Sequence, residues 1–382
     1  FGLTKTGAGA LVTSNANTFN GGVTLVDGRL TVGNGAALGT GALTFAGGTL
    51  DASVAALTLA NALTLSADAN FLGTNALTLS GNASLGAGNR AVNAAASTLT
   101  LSGVVSGNAF TKTGLGKVAV AGAVNLNGGV ATVSQGTLGA GFAVGGVSAL
   151  NVANGATLNL FDAQTVSLGS TILGLANGSA LGFDLGAPGT NDSILLGVGS
   201  ALGGTVTLNL NNLGGVAAGT YTLLTATSGL DLTTWILGTA PVGLNYKFDA
   251  TGGTSLILTA SPVINRYFNG VTGASWSTLA SWSNDAAGTV PSTVLPGLTE
   301  TLNFSTVNAV GPVIATTLDA AFTIDSLIFS STPTGVTSFT VAAGTGGTLA
   351  IYPGSSNNGI EVQANAGAIL ISAPLTATGV QA

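Results

Sequence analysis

Any chemistry in this chain has to come from a short roster of side chains. His, Cys and Met are absent, and 7 Lys+Arg stand against 13 Asp+Glu in 382 residues. Without His or Cys there is no Ser-His-Asp triad, no Cys nucleophile, no zinc cage of the usual ligands and no disulfide framework. Lys5 and Lys112 occupy equivalent places in a repeat. A lysine can activate a neighbouring hydroxyl, but a catalytic group is seldom duplicated, so edge protection or strand-end solvation is the expected role. Asp184, Asn191 and Asp192 form the densest acidic-amide cluster. Calcium takes such oxygen ligands but wants about six to eight of them, and Asx-turn capping of the Pro188-Gly189 corner is expected instead. Tyr267, Trp276 and Trp282, with Phe268 nearby, are where a bound glycan or a partner would stack, although large rings more often fill a core. Paired carboxylates could cleave a glycoside, yet the acids are scattered and no constellation stands out. No enzyme activity, cofactor or metal is expected.

The elements that must position these groups are strands. Apolar residues recur at period two and almost nowhere at helical spacing. Leu-Thr-Leu triplets stand at 57–59, 63–65, 77–79 and 99–101, and Leu-Asn-Leu at 158–160 and 208–210. In each, both leucines face one way and the polar residue the other. Thr suits an outer face because its branched carbon fits the pleat while its hydroxyl stays wet. Gly and Asn clusters such as Asn20-Gly21-Gly22, Asp27-Gly28 and Asn127-Gly128-Gly129 mark the corners, since these residues tolerate positive φ. The threonines at 58, 64, 78 and 100 could form a flat array ordering water, but that needs strict register between rungs, and their uneven spacing predicts none.

The strands come in a repeated order. Leu3-Thr4-Lys5-Thr6-Gly7-Ala8-Gly9 returns at Phe110-Thr111-Lys112-Thr113-Gly114-Leu115-Gly116, an offset of 107 positions (5 to 112). The offset holds through Asn20-Gly21-Gly22-Val23 and Asn127-Gly128-Gly129-Val130; one extra residue then pairs Gly28 with Gly136 and Leu30 with Leu138. Such self-similarity predicts units that bury their apolar faces only by stacking. Asn-Gly is also a strong hairpin signal, so an antiparallel sandwich stays open beside a parallel β-solenoid. The length of the strand-rich region and the 5% charge favour the solenoid, with coils of about 22 residues. Gly, Ser, Thr, Asn and Asp interrupt every apolar run, so no transmembrane helix is expected. Seven scattered cations and a net charge of -6 leave no footprint for nucleic acid.

The run Leu3-Thr4-Lys5-Thr6-Gly7-Ala8-Gly9-Ala10-Leu11, then Asn17-Thr18-Phe19-Asn20-Gly21-Gly22-Val23-Thr24, then Gly28-Arg29-Leu30, resembles the autotransporter-associated β-strand repeat. Ala36–Thr44 and Gly47-Gly48-Thr49-Leu50 look like its continuation, and the match is weaker across 103–140. Residues 180–260 look like the segment that often follows such repeats, with Phe183–Gly189 and Gly219–Leu224 as markers. Residues 266–382 look like the opening of a second unit, headed by Trp276-Ser277 and Ser281-Trp282-Ser283. The resemblance implies an all-β, right-handed parallel β-solenoid, secreted and held at the bacterial cell surface, with no catalytic residues.

Proline placement points to a seam. The first of 9 prolines is Pro188, and seven lie from Pro262 onward. Proline lacks the ladder donor and sits at edges, corners and bulges. The expected organisation is a strand-repeat solenoid over 1–140, a continuing solenoid over 141–262 and a second unit over 263–382 that opens with the Trp-containing junction. The expected role is structural: a stalk or filament whose uncapped rungs, at Phe1-Gly2-Leu3 and near Ala373–Ala382, add to another copy or continue into more coils. The alternatives are a glycan-binding adhesin using the junction aromatics and a polysaccharide-active β-helix enzyme.

Overall fold

The computed structural model describes residues 1–141, 144–160, 165–167, 171–196, 202, 204–250, 252–268, 272–298, 300–304, 312–330, 337–351, 359–364 and 366–377. Stacked parallel sheets make a β-solenoid of about 15 turns, with no α-helix among the described residues. The antiparallel sandwich is therefore excluded. Two compact units divide the chain, the first holding most of 1–258 and the second 259–382 with the short segments 217–219 and 240–247. The ladder carries on past residue 140, because Thr137–Ala140 pairs with Thr157–Leu160 of the next coil. The last described strand is Leu375–Ala377; the rest of the strand expected near Ala373–Ala382 lies outside the described residues.

The coils of the first unit have three faces, with three short strands in each coil from Leu43 to Val120, two in each of the coils before, and one longer strand, Val124–Val133, spanning the first two faces after. On the first face Leu3, Val23, Leu43, Leu63, Ala83, Val105 and Val124 succeed one another in register. On the second, Leu11, Leu30 and Leu50 lead to Phe71 and Ala94. On the third, Leu57, Leu77, Leu99, Val118, Leu138 and Leu158 form the column. Over residues 3–124 the step from one coil to the next runs from 19 residues, as in Ala10 to Arg29, to 23, as in Ala69 to Val92. Nearly all column residues are buried, so apolar side chains pile up rung on rung, while the strands between the first and last rungs of a sheet have a ladder on both sides.

Coil length and repeat length do not agree, and this has a consequence for the two lysines. The strand Leu3–Lys5 lies on the first face, whereas Ala109–Thr113 pairs with Asn89–Ala94 on the second. The duplicated segment therefore returns one face further round after five full coils. Its corner is nevertheless rebuilt: a Cβ at Gly28 would lie 2.3 Å from the Gly7 carbonyl oxygen, and one at Gly136 would lie 2.4 Å from that of Gly114. The pairing of Gly28 with Gly136 read from the sequence is thus a three-dimensional equivalence.

An asparagine laid over a glycine helps set the register between neighbouring coils. On the third face Asn159 stacks directly below Gly182, and a Cβ added there would stand 1.9 Å from Asn159 Oδ1. The amide fills the space that a side chain would occupy, and glycine is what the next rung allows.

The second unit again has three parallel strands per coil. Glu300–Phe304, Ser326–Phe329 and Ile360–Val362 stack on one face, and Val313–Leu318, Ser338–Ala343 and Ala368–Ile371 on the next. Ala321–Ile324, Thr348–Ile351 and Leu375–Ala377 complete the prism. The strand Ile264–Phe268 starts the first of these faces, and Trp282–Ser283 pairs with it antiparallel.

Candidate functional site

The Trp-containing segment folds inward. Trp276 and Trp282 are each 0% exposed, and their rings meet edge to face at 5.3 Å. Trp276 Nε1 donates to Thr316 Oγ1 at 3.0 Å and Trp282 Nε1 to the Trp276 carbonyl at 3.0 Å, so both indole dipoles are satisfied inside. Phe268, Phe304 and Phe329 stack along the coil direction at 5.1 and 5.2 Å, one ring per rung. Of the three aromatics singled out for glycan or partner contact, only Tyr267 is half-buried. The two indoles present no face to a sugar; they fill the core.

Arg266, one residue before Tyr267, organises the loop behind that core. It is buried, and its guanidinium forms a two-point ion pair with Glu300, Nε to Oε2 at 3.2 Å and Nη2 to Oε1. Nη1 donates to Asn284 Oδ1 and, at 2.6 Å, to Ser292 Oγ. The Gly297 amide donates to Glu300 Oε2 at 3.2 Å. One planar fork thus ties together a strand and the proline-containing loop 284–297, which suits arginine rather than lysine. Asp285, within that loop, accepts from Ser283 and Thr289 hydroxyls and the Val290 amide, which together hold its carboxyl down to about 2. Sequence reasoning passed over this cluster because its members are far apart along the chain; the one signal was a lone Arg in a region poor in cations.

The two repeat lysines are not solvated strand ends, and that expectation is corrected. Lys112 is 0% exposed, pointing inward between Val92 and Val133. Its Nζ donates to the carbonyls of Thr113 and Gly114, both at 2.7 Å, and Gln135 at 3.1 Å. Lys5 does the same with Thr6, Gly7 and Asp27 at 2.9, 2.6 and 2.9 Å. Corner carbonyls leave the ladder and would be stranded by burial; an ammonium on a long apolar stem supplies one donor to each. Burial pushes the Lys112 ammonium down from 10.5 to about 8.

The acidic-amide cluster is also structural. Asp192 is buried and its Oδ2 accepts from the Asp184 amide at 2.7 Å, while Asn211 Nδ2 donates to Asp184 Oδ1 at 2.9 Å. The Pro188-Gly189 corner is closed by backbone bonds, Gly186 amide to Thr190 carbonyl and Thr190 amide to Ala187 carbonyl, both 2.8 Å. The carboxylate clamps the base of this turn rather than its tip. No group of three or more His, Cys, Asp or Glu clusters as a metal site among the described residues.

Threonine register differs from the expectation as well. Thr58, Thr78 and Thr100 are successive rung partners on the third face, and Thr64 belongs to a separate row on the first, Thr4–Thr24–Thr44–Thr64. Strict register exists; the four residues compared in the sequence had been drawn from two faces. No family model, no curated protein and no solved structure matches this chain.

Proposed function

We propose that this chain is a structural, non-catalytic β-solenoid, a stalk or filament segment of a bacterial surface protein that self-associates or runs on into more coils. The observation that carries the reading is the disposal of the polar groups that face inward. Lys5 and Lys112 satisfy corner carbonyls, Arg266 and Glu300 satisfy each other and a loop, and Asp192 clamps a turn. Buried charges arranged this way serve the framework, since each is used up by the chain's own backbone and side chains. The extracellular placement draws its support from the likeness of residues 3–53 to the autotransporter-associated repeat.

Protease shaving of intact cells that make the native protein tests this placement. Release of solenoid peptides, without release of cytoplasmic markers, is the expected result; fragments obtained only after lysis would refute it. Sedimentation of the full native protein tests association, which predicts species larger than one chain.

A further inference from the structure

On the second face of the first unit, the outward residues of successive rungs form the row Ala10–Arg29–Thr49–Asn70. Beside it, along the corner that precedes these strands, lies an open groove of about 610 Å³ whose wall includes Asp27 and Leu72. Arg29 is exposed, and its guanidinium has no hydrogen bond or ion pair among the described residues. This sets it apart from Arg90, which donates to the Leu65 and Ser66 carbonyls, and from the clamped Arg266. Asn70 makes long bonds to the Gly48 carbonyl (3.4 Å) and to Asn93 Nδ2 (3.2 Å), leaving one amide hydrogen and one lone pair for a ligand.

We infer that this groove binds an extended glycan bearing carboxylates, laid along the coil axis with one acidic sugar on Arg29. The guanidinium fork is the matching partner for a carboxylate and gains strength from its charge. Thr49 and Asn70, one and two rungs on, offer both donors and acceptors, as sugar hydroxyls require. Ala8, Ala10 and Leu72 supply apolar surface for the C–H face of the ring. Rungs repeat every ~4.8 Å, close to the advance of one sugar in an extended chain, so each sugar meets a new rung. A peptide laid along the coil axis would cross the strands of this row rather than run beside them, so it could not add as a further strand. Nucleic acid is disfavoured because the wall holds one arginine for a backbone that carries a phosphate at every step, and no aromatic ring on which a base could stack.

Titration calorimetry on the full chain decides the matter, using oligomers of a uronic acid and of the corresponding neutral sugar. The uronate oligomer is expected to bind more tightly and to weaken with salt. Arg29→Gln, on an exposed position, should leave the urea midpoint unchanged while lowering affinity about tenfold or more. Thr49→Arg, which places a second guanidinium one rung on, should tighten binding. Equal binding of the two oligomers, no uptake of uronate, or affinity unaltered by Arg29→Gln would overturn the inference. So would a poly-glutamate peptide binding as tightly in an Arg29-dependent way, because that would mark a carboxylate site indifferent to sugar. The outcome is independent of the stalk reading, which shaving of cells tests separately.

Discussion

Replacing Lys112 by methionine keeps most of the apolar stem and removes the ammonium, and two opposing effects follow. Three carbonyls, of Thr113, Gly114 and Gln135, lose their donor. Each buried acceptor left unmet costs about 1–3 kcal/mol. Against this, the wild type carries a desolvated charge whose ordinary value of 10.5 has fallen to about 8. At roughly 1.4 kcal/mol per unit, losing that burden returns about 3 kcal/mol. Taking the middle of the first range, the carbonyls outweigh the charge, and Lys112→Met should lose about 3 kcal/mol near pH 7. The sign of the pH dependence follows from the same shift. Between about 8 and 10.5 the unfolded chain holds the Lys112 proton and the folded chain does not, so wild-type stability rises with pH across that window. The variant lacks this contribution, and its deficit should widen toward about 6 kcal/mol by pH 10.5. Urea unfolding of both proteins at pH 7, 8, 9 and 10, read as the difference in free energy, is the assay. A deficit that stays constant or narrows as pH rises would refute the reasoning, because it would mean that the ammonium is not buried within the corner.

Three further outcomes are expected. Trp282→Ala should destabilise the second unit by about 3–5 kcal/mol, the usual loss for a large enclosed ring, seen in the near-ultraviolet thermal transition; retention of full stability would place that indole outside the core. Glu300→Ala leaves Arg266 charged and unpaired in the interior, and about 3–5 kcal/mol should be lost, with loop 284–297 becoming the first site of limited proteolysis. Gly182→Ala puts a methyl group 1.9 Å from Asn159 Oδ1; a cost of about 1–3 kcal/mol is expected, and combining it with Asn159→Ala should recover part of that loss in a double-mutant cycle.

The strand class, the parallel stacking and the equivalence of the two lysine corners were all legible in the sequence. Period-two patterning reports which residues face inward, whatever the strand later pairs with, and glycine reports corners through backbone conformation alone. Gly7 and Gly114 both adopt positive φ, 71° and 76°, at matching points of the repeat. Burial of Lys112 was not legible. Charge predicts solvent exposure by default, and the reason it fails here is a set of carbonyls that become orphans only once the corner is built. Trp276 and Trp282 were ambiguous for a related reason. An indole's affinity for a core and for a sugar comes from the same ring, and only the strands around it decide which it meets. The Arg266–Glu300 clamp joins positions 34 residues apart, and no local pattern connects them.

Face assignment is where linear reading fails most completely, and the duplicated segment shows why. Ala10 corresponds to Lys117 and Arg29 to Thr137, yet the first pair of sites lies on the second face and their counterparts on the third. The interior keeps its chemistry through that shift: Leu30 and Leu138 are both enclosed in their columns. The exterior does not. The row Ala10–Arg29–Thr49–Asn70 answers to Lys117–Thr137–Thr157–Ala180, in which the cation has moved one rung and the amide is gone. A column of leucines tolerates this because apolar packing is non-directional and asks only for volume. A ligand that reads hydrogen-bonding groups at fixed rung intervals does not. Binding specificity on such a scaffold is therefore written across the rungs, between residues about 20 positions apart, and a motif found along the chain describes a corner rather than a site.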